Sequence, residues 1–397
     1  MNIPPIELYQ TDNNQPTPPL CLYPWFHQKV STDGTAQPCC NYTNQTYIEY
    51  QKFFNSGYLK TIRQEMLSGK IPDGCKDCIY KESRGWPGRQ FSFDIINDLN
   101  ISISQEIFDN PKLQFIEIDY SNICNLSCKM CSSDRSFKIG NFEKKLNIKP
   151  KPLLDSNFRL SEDEIDSVLM LKFLGGEPLL HQDRIINELN RLKLKGRLHL
   201  VEVFITTNGS LDLLDEFIEL IKNCKKIQFN FSIDAYNTLN EYIRTSSDWN
   251  KIVNNISSLN DIFKESNNIH IGILTTVGIL NINKLNELFD FLQNNFPENL
   301  FHKSYLPILM GGHEHYSVSN LPVHIKELLF IRYDKWIDEF PLWKSHIKKI
   351  KGYLNYPSRI DSNTLLSKFN RRNSAFELPY KPTFNEVNKE MSDWLNS

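Results

Sequence analysis

The chain has 397 residues, with 45 Lys plus Arg against 47 Asp plus Glu and a formal net charge of -2. Its 40% hydrophobic and 23% charged residues are ordinary for a soluble globular protein, and the length allows one large domain plus a smaller one. No long basic run is present, so composition gives no support for sequence-independent nucleic-acid binding, which needs a clustered positive surface; it stays compatible with a nucleic-acid substrate in a local pocket.

The first nineteen residues are polar and carry Pro4, Pro5, Pro16, Pro18 and Pro19. They lack a basic start and an apolar core, so they do not read as a secretory signal. No uninterrupted apolar run approaches the ~20 residues of a membrane-spanning helix. The expectation is a cytoplasmic protein with no membrane partner. Thiols stay reduced there, so clustered cysteines bind metals more often than they form disulfides.

Residues 21–100 hold a first group of cysteines and one expected helix, Phe53–Leu67, ended by Gly69. From Leu113 short apolar runs alternate with helix-period segments. The expected strands are Phe115–Tyr120, Leu169–Leu174, Val201–Thr206, Ile227–Ile233, Ile269–Thr276 and Tyr305–Leu309. The expected helices lie near Glu162–Val168, Asp183–Leu194, Leu211–Lys222, Trp249–Phe263 and Ile282–Asn294. Ser161 followed by Glu164 forms a capping-box start, and Gly196 is a helix stop.

This alternation predicts an α/β fold of parallel βαβ units with right-handed crossovers. Six units suit a partial (β/α)6 barrel better than a closed eight-unit one, with chemistry at the C-terminal strand ends. Lys-rich residues 137–160 read as a surface insertion. Residues 315–397 read as amphipathic helix, with Leu328, Leu329, Ile331, Trp336 and Trp343 as its apolar spacing. The expected partition is a cysteine-rich module over 1–112, the barrel over 113–314 and a helical extension over 315–397.

Eight of the nine cysteines lie in the first third of the chain, in two groups. One group, Cys124-Asn-Leu-Ser-Cys128-Lys-Met-Cys131, follows the strand at Phe115. Three thiolates at spacings of four and three can take three corners of a cubane cluster and leave the fourth iron open to a ligand. A zinc site with a distant fourth ligand is the alternative. Gly175-Gly176-Glu177-Pro178 ends the next strand; its glycines permit close backbone approach, and its carboxylate can pair with an ammonium.

Together these resemble the CxxxCxxC and GGEP motifs of the radical S-adenosylmethionine (SAM) superfamily. The resemblance covers roughly Leu113–Leu309. It implies a SAM-binding [4Fe–4S] cluster on Cys124, Cys128 and Cys131, and a methionine site at Gly175, Gly176, Glu177 and Pro178. By the same resemblance Asn208, Ser232 and Arg244, at later strand ends, contact the SAM ribose and carboxylate. Plainer readings stand beside these: Asn208 can cap a turn, the neighbouring Asp234 can cap a helix, and Arg244 can sit on the surface. Thr275-Thr276-Val277-Gly278-Ile279 matches the adenine-contacting region loosely.

The other group is Cys21, Cys39, Cys40 and Cys75-Lys-Asp-Cys78. A CxxC pair with two remote cysteines can complete a four-thiolate site. Cys21, Gly34 and Cys39 resemble the start of SPASM and twitch auxiliary-cluster modules, which usually follow the barrel, whereas here they precede it. The favoured ligands of a second [4Fe–4S] cluster are Cys21, Cys39, Cys75 and Cys78, with Cys40 a neighbour or alternative and four-cysteine zinc as the competing reading. Cys224 reads as a buried small hydrophobe.

The resemblance implies one-electron cleavage of SAM to methionine and a 5′-deoxyadenosyl radical that takes a hydrogen atom from the substrate. That substrate is a peptide or protein side chain, or else a small molecule such as a sugar or aminocyclitol. An electron donor such as flavodoxin or ferredoxin is implied as a partner. A non-enzymatic iron–sulfur or zinc protein is the third reading. The substrate, the catalytic acid–base residues and the oligomeric state are not legible.

Overall fold

In a computed structural model, residues 20–82, 88–264, 266, 268–296, 314–376 and 381–397 are described. Seven strands form a mostly parallel sheet in the order β2-β1-β3-β4-β5-β6-β7. They are β1 His27–Val30, β2 Ala36–Gln37, β3 Phe115–Asp119, β4 Met170–Leu174, β5 Glu202–Thr207, β6 Lys226–Ser232 and β7 Ile269–Leu274. β3 to β7 match five of the expected strands within two residues at either end; the sixth, Tyr305–Leu309, lies outside the described residues. The sheet also continues across the expected boundary at residue 112. β1 pairs parallel with β3, His27 opposite Phe115 through Val30 opposite Ile118, and antiparallel with β2.

The chain divides into two compact units. The first comprises residues 1–121, 154–204 and 215–227. Its apolar core includes Val30, Ile116, Ile118, Leu171 and Phe173, which alternate along β1, β3 and β4 onto one face. The helix Gln182–Leu194 buries Ile185, Leu189 and Leu192, a helical spacing of four and three, and ends before Gly196 at φ +69°. Ser161 and Glu164 form the expected capping box of the helix Glu162–Ser167. The expected helix at Phe53 is split: Tyr50–Phe53, then Gly57–Leu67 capped by Ser56.

The second unit comprises residues 122–153, 205–214 and 228–397. Its helix Trp249–Phe263 matches the expected bounds and is capped by Asp248. The helix Val323–Glu339 buries Ile325, Leu329, Tyr333 and Trp336. That spacing of four, four and three corrects the apolar set read from the sequence: Leu328 and Ile331 are 44% and 61% exposed. The 137–160 segment is likewise no mere surface insertion. Ile139 is buried against Ala375 and Phe376, and Phe142 stacks on Phe376 at 4.5 Å. The lysines face outward, as do Phe137, Ile148 and Leu153, while Ile139, Phe142 and Leu146 pack.

Candidate functional site

The first cysteine group lies on a loop of the second unit that is tied at several points. Buried Asn122 donates from Nδ2 to Ser133 O and Pro152 O, both at 2.8 Å, and its own carbonyl accepts from Phe137 N. Ser127 N and Lys129 N donate to Thr245 O and Ile243 O, both at 2.9 Å. Ser136 Oγ donates to Leu126 O.

Arg372, on the helix Ser362–Phe376, donates from Nε to Lys129 O at 2.9 Å and from Nη2 to Cys131 O at 2.6 Å. Its guanidinium lies 4.8 Å from the Phe376 ring. Buried Lys129 places its ammonium 4.1 Å from the Tyr242 ring. Neither residue was singled out from the sequence. Arg372 lies far beyond the motifs, and nothing in its neighbourhood marks it.

Cys128 and Cys131 are hydrogen-bonded to each other. That bond raises the Cys128 thiol, which burial raises further, and lowers the Cys131 thiol. Arg244 Nη1 lies 3.9 Å from Cys128 Sγ and favours the thiolate at both cysteines. Burial would lower the Arg244 pKa, but Asp234, 2.8 Å from its Nε, and Cys128 outweigh burial and raise it. Asp234 in turn accepts from Thr276 N at 2.8 Å. Arg244 is therefore buried, not a surface residue. Asn208 Nδ2 donates to Asn125 Oδ1 at 2.8 Å and lies 3.8 Å from Cys124 Sγ. Ser232 is buried at the end of β6.

Among the described residues no three His, Cys, Asp or Glu side chains are gathered so as to hold a single metal ion. A cubane cluster instead takes one thiolate at each of three separate irons. Three cysteines on one tied loop, backed by a guanidinium, fit that donor set.

The Gly175–Pro178 turn belongs to the first unit. Gly175 has φ +100°, and a Cβ there would come within 3.0 Å of Ser121 O and 3.2 Å of Asp119 Cα. Gly176 N donates to Ser121 O at 2.9 Å. Glu177 is buried, and its Oε1 accepts from Leu179 N at 3.1 Å, capping the short 3-10 helix that Pro178 opens.

The first unit also gathers the N-terminal cysteines. Cys39 is raised by burial and by the charges of Cys21, Cys40 and Cys78. Burial, with Cys21 and Cys78, pushes Cys75 up to about 12. Cys21 and Cys78 thus each act on both Cys39 and Cys75, and Arg89, ion-paired with Glu82, favours the thiolates of Cys21 and Cys75. Cys40 is exposed, within the field of Glu117, Lys172 and Lys29. Cys224 is buried, which pushes its thiol up to about 12.

Residues 118–292 match the family model described as Radical SAM, the Radical SAM superfamily, which covers less than half of the chain. That segment thus matches a radical SAM domain, which supports an enzyme, and that family implies a [4Fe–4S] cluster and SAM. No curated protein matches the chain. Solved structures similar to it include native anSMEcpe with bound AdoMet and Cp18Cys peptide, at 16% identity over 58% of this chain and 61% of that one, TM-score 0.39. Streptococcus suis SuiB bound to S-adenosylmethionine is 17% identical over 73% of this chain and 59% of that one, TM-score 0.35. TYW1 with a lysine-pyruvate adduct bound is 17% identical over 57% of this chain and 71% of that one, TM-score 0.29. The chain spans about three fifths of the length of the first two. Among the described residues no helix is long and apolar enough to cross a membrane.

Proposed function

We propose that this chain reductively cleaves SAM and uses the resulting radical to take a hydrogen atom from a peptide or protein side chain. The observation that carries the reading is the tied loop of Cys124, Cys128 and Cys131, backed by Arg244, inside the segment that matches the family. Cys124, Cys128 and Cys131 would hold the cluster, which when bound would supply the one electron that SAM cleavage to methionine and a 5′-deoxyadenosyl group requires. Glu177, on its glycine turn, pairs with the methionine ammonium. Asn208, Ser232 and Arg244 take the polar groups of the ribose and carboxylate. Cys21, Cys39, Cys75 and Cys78 hold a second [4Fe–4S] cluster, with Cys40 outside the ligand set. The peptide reading follows from the likeness of that cysteine group to SPASM modules; a sugar or aminocyclitol is the alternative substrate.

Anaerobic reconstitution tests the assignment. The protein should carry about eight irons, and replacing Cys124, Cys128 and Cys131 together by Ala should halve that. The reduced protein should form 5′-deoxyadenosine and methionine slowly without its true substrate. Well-loaded, reduced protein that leaves SAM intact across several reductants overturns the enzyme reaction proposed. One zinc with about four irons overturns only the second cluster.

A further inference from the structure

Parallel sheets are covered on both faces, and their strands usually read as apolar runs. Gln28 aside, one face of β1, β3 and β4 follows this rule with Val30, Ile116, Ile118, Leu171 and Phe173. The opposite face breaks it. The register sets Lys29, Glu117 and Lys172 side by side across three strands, with His27 and Asp119 on the same face. Lys172 Nζ lies 2.8 Å from Glu117 Oε1, and Lys29 Nζ lies 3.2 Å from Asp119 Oδ2. His27, Lys29, Glu117 and Asp119 are buried, whereas Lys172 keeps 30% of its side chain exposed, so solvent reaches one end of the row.

Burying charged pairs costs more than packing Leu or Val in their place, so a face built only for stability would not look like this. Nor is the pairing complete. Glu117 gives Oε1 to Lys172 and leaves Oε2 buried without a hydrogen bond among the described residues. His27 Nδ1 lies 2.8 Å from Pro38 O, which can only accept, so Nδ1 carries the proton and donates. Nε2 is then a lone pair, also buried and without a hydrogen bond among the described residues. Burial holds His27 at about 4, which keeps the ring neutral at physiological pH. Two cations and two anions then balance, and the loose ends of Glu117 and His27 are both acceptors.

We propose that this face binds a neutral, hydroxyl-bearing group whose O–H donors satisfy Glu117 Oε2 and His27 Nε2. An ammonium would add a third cation beside Lys29 and Lys172. A carboxylate or phosphate would bring acceptors where acceptors already wait. A free polyol supplies the required donors, and so does the hydroxyl side chain of a peptide. The binding chemistry belongs to the face itself; only its name as a substrate site rests on the radical reaction proposed above.

The test titrates the reconstituted protein with myo-inositol, with the tripeptide Gly-Ser-Gly and with Gly-Ala-Gly as control, reading binding by saturation-transfer NMR on each probe. Inositol or the seryl peptide should bind, and which of them does identifies the source of the hydroxyl; the alanyl control should not. Glu117→Gln and His27→Phe should each weaken that binding about fivefold or more, as the loss of one hydrogen bond implies. Should His27→Phe fail to fold, Glu117→Gln decides. Binding of the control as tightly as the seryl peptide, or binding unchanged in Glu117→Gln, overturns the proposal. Wild type that cleaves SAM but binds neither hydroxyl probe also overturns it and leaves the radical reaction standing. Wild type that binds a probe but cannot cleave SAM does the reverse.

Discussion

Arg372→Ala should loosen the loop that carries Cys124, Cys128 and Cys131 without touching a cysteine. The guanidinium donates to Lys129 O at 2.9 Å and to Cys131 O at 2.6 Å. A hydrogen bond from a charged donor contributes roughly 1.5–3 kcal/mol net. Two of them set an upper range of about 3–6 kcal/mol. Burial works against the charge, lowering the pKa of Arg372, so the net is smaller than that upper range, about 2–4 kcal/mol. Local opening of the loop should then rise roughly thirty- to eight-hundred-fold, at 1.36 kcal/mol per decade. Three amides report it: Ser127, Lys129 and Cys131, which donate to Thr245 O, Ile243 O and Cys128 O. Native-state hydrogen exchange on protein without and with reconstituted clusters reads their protection. Arg372→Lys keeps the charge but loses the fork that spans two carbonyls, and should fall between. Iron occupancy at the three cysteines should drop in the same order. If the three amides exchange at wild-type rates in Arg372→Ala, the two hydrogen bonds do not hold the loop, and the reasoning is refuted.

Glu177→Gln keeps an oxygen that can cap Leu179 N but removes the negative charge. It should weaken SAM binding while iron content and thermal stability stay near wild type, measurable by equilibrium dialysis with labelled SAM; a parallel loss of stability would mean that capping is the main role of Glu177. Gly175→Ala should lower the melting temperature and cost roughly 1–3 kcal/mol, since φ +100° and the approach to Ser121 O and Asp119 Cα both oppose a Cβ. Stability should also fall in acid. Burial holds His27 at about 4, below its usual 6.5. At Glu117 burial would raise the carboxyl, but Lys172, His27 and Lys29 outweigh it and hold it at about 2, below its usual 4.5. Both folded values are depressed, so the unfolded chain takes up protons first. Stability is full above about pH 6.5, drops by up to about 3 kcal/mol through the His27 window down to pH 4, and drops further between 4.5 and 2. Urea unfolding at pH 7, 5.5 and 4.5 should show the first step, and His27→Phe should flatten it.

The central strands were legible because each is a short segment in which apolar residues predominate or alternate, as at Met170–Leu174 and Ile269–Leu274. The cysteine loop and the glycine turn announced themselves through spacing. β1 did not: His27-Gln28-Lys29-Val30 offers no apolar alternation, and the ion pair that buries Lys29 is made with Asp119 on β3, which no local window contains. Arg372 was missed for the same reason. It acts on carbonyls more than 240 residues away in sequence, and its own helix carries no motif. On Val323–Glu339 the reading placed Leu329 and Trp336 correctly and Leu328 and Ile331 wrongly, since Leu328 is as apolar as Leu329 and only tertiary packing separates them.

The pairing of β1 with β3 also bears on how this chain can be cut. Four residues of β1 occupy the hydrogen-bonding edge of β3, from His27 opposite Phe115 to Val30 opposite Ile118. A fragment trimmed to begin at residue 113 would bare that edge along a strand whose Ile116 and Ile118 are fully buried in the intact protein. An apolar strand with an open ladder is a template for pairing with other molecules. The segment that carries the N-terminal cysteines is therefore also the edge guard of the central sheet, and its removal invites self-association through the exposed β3.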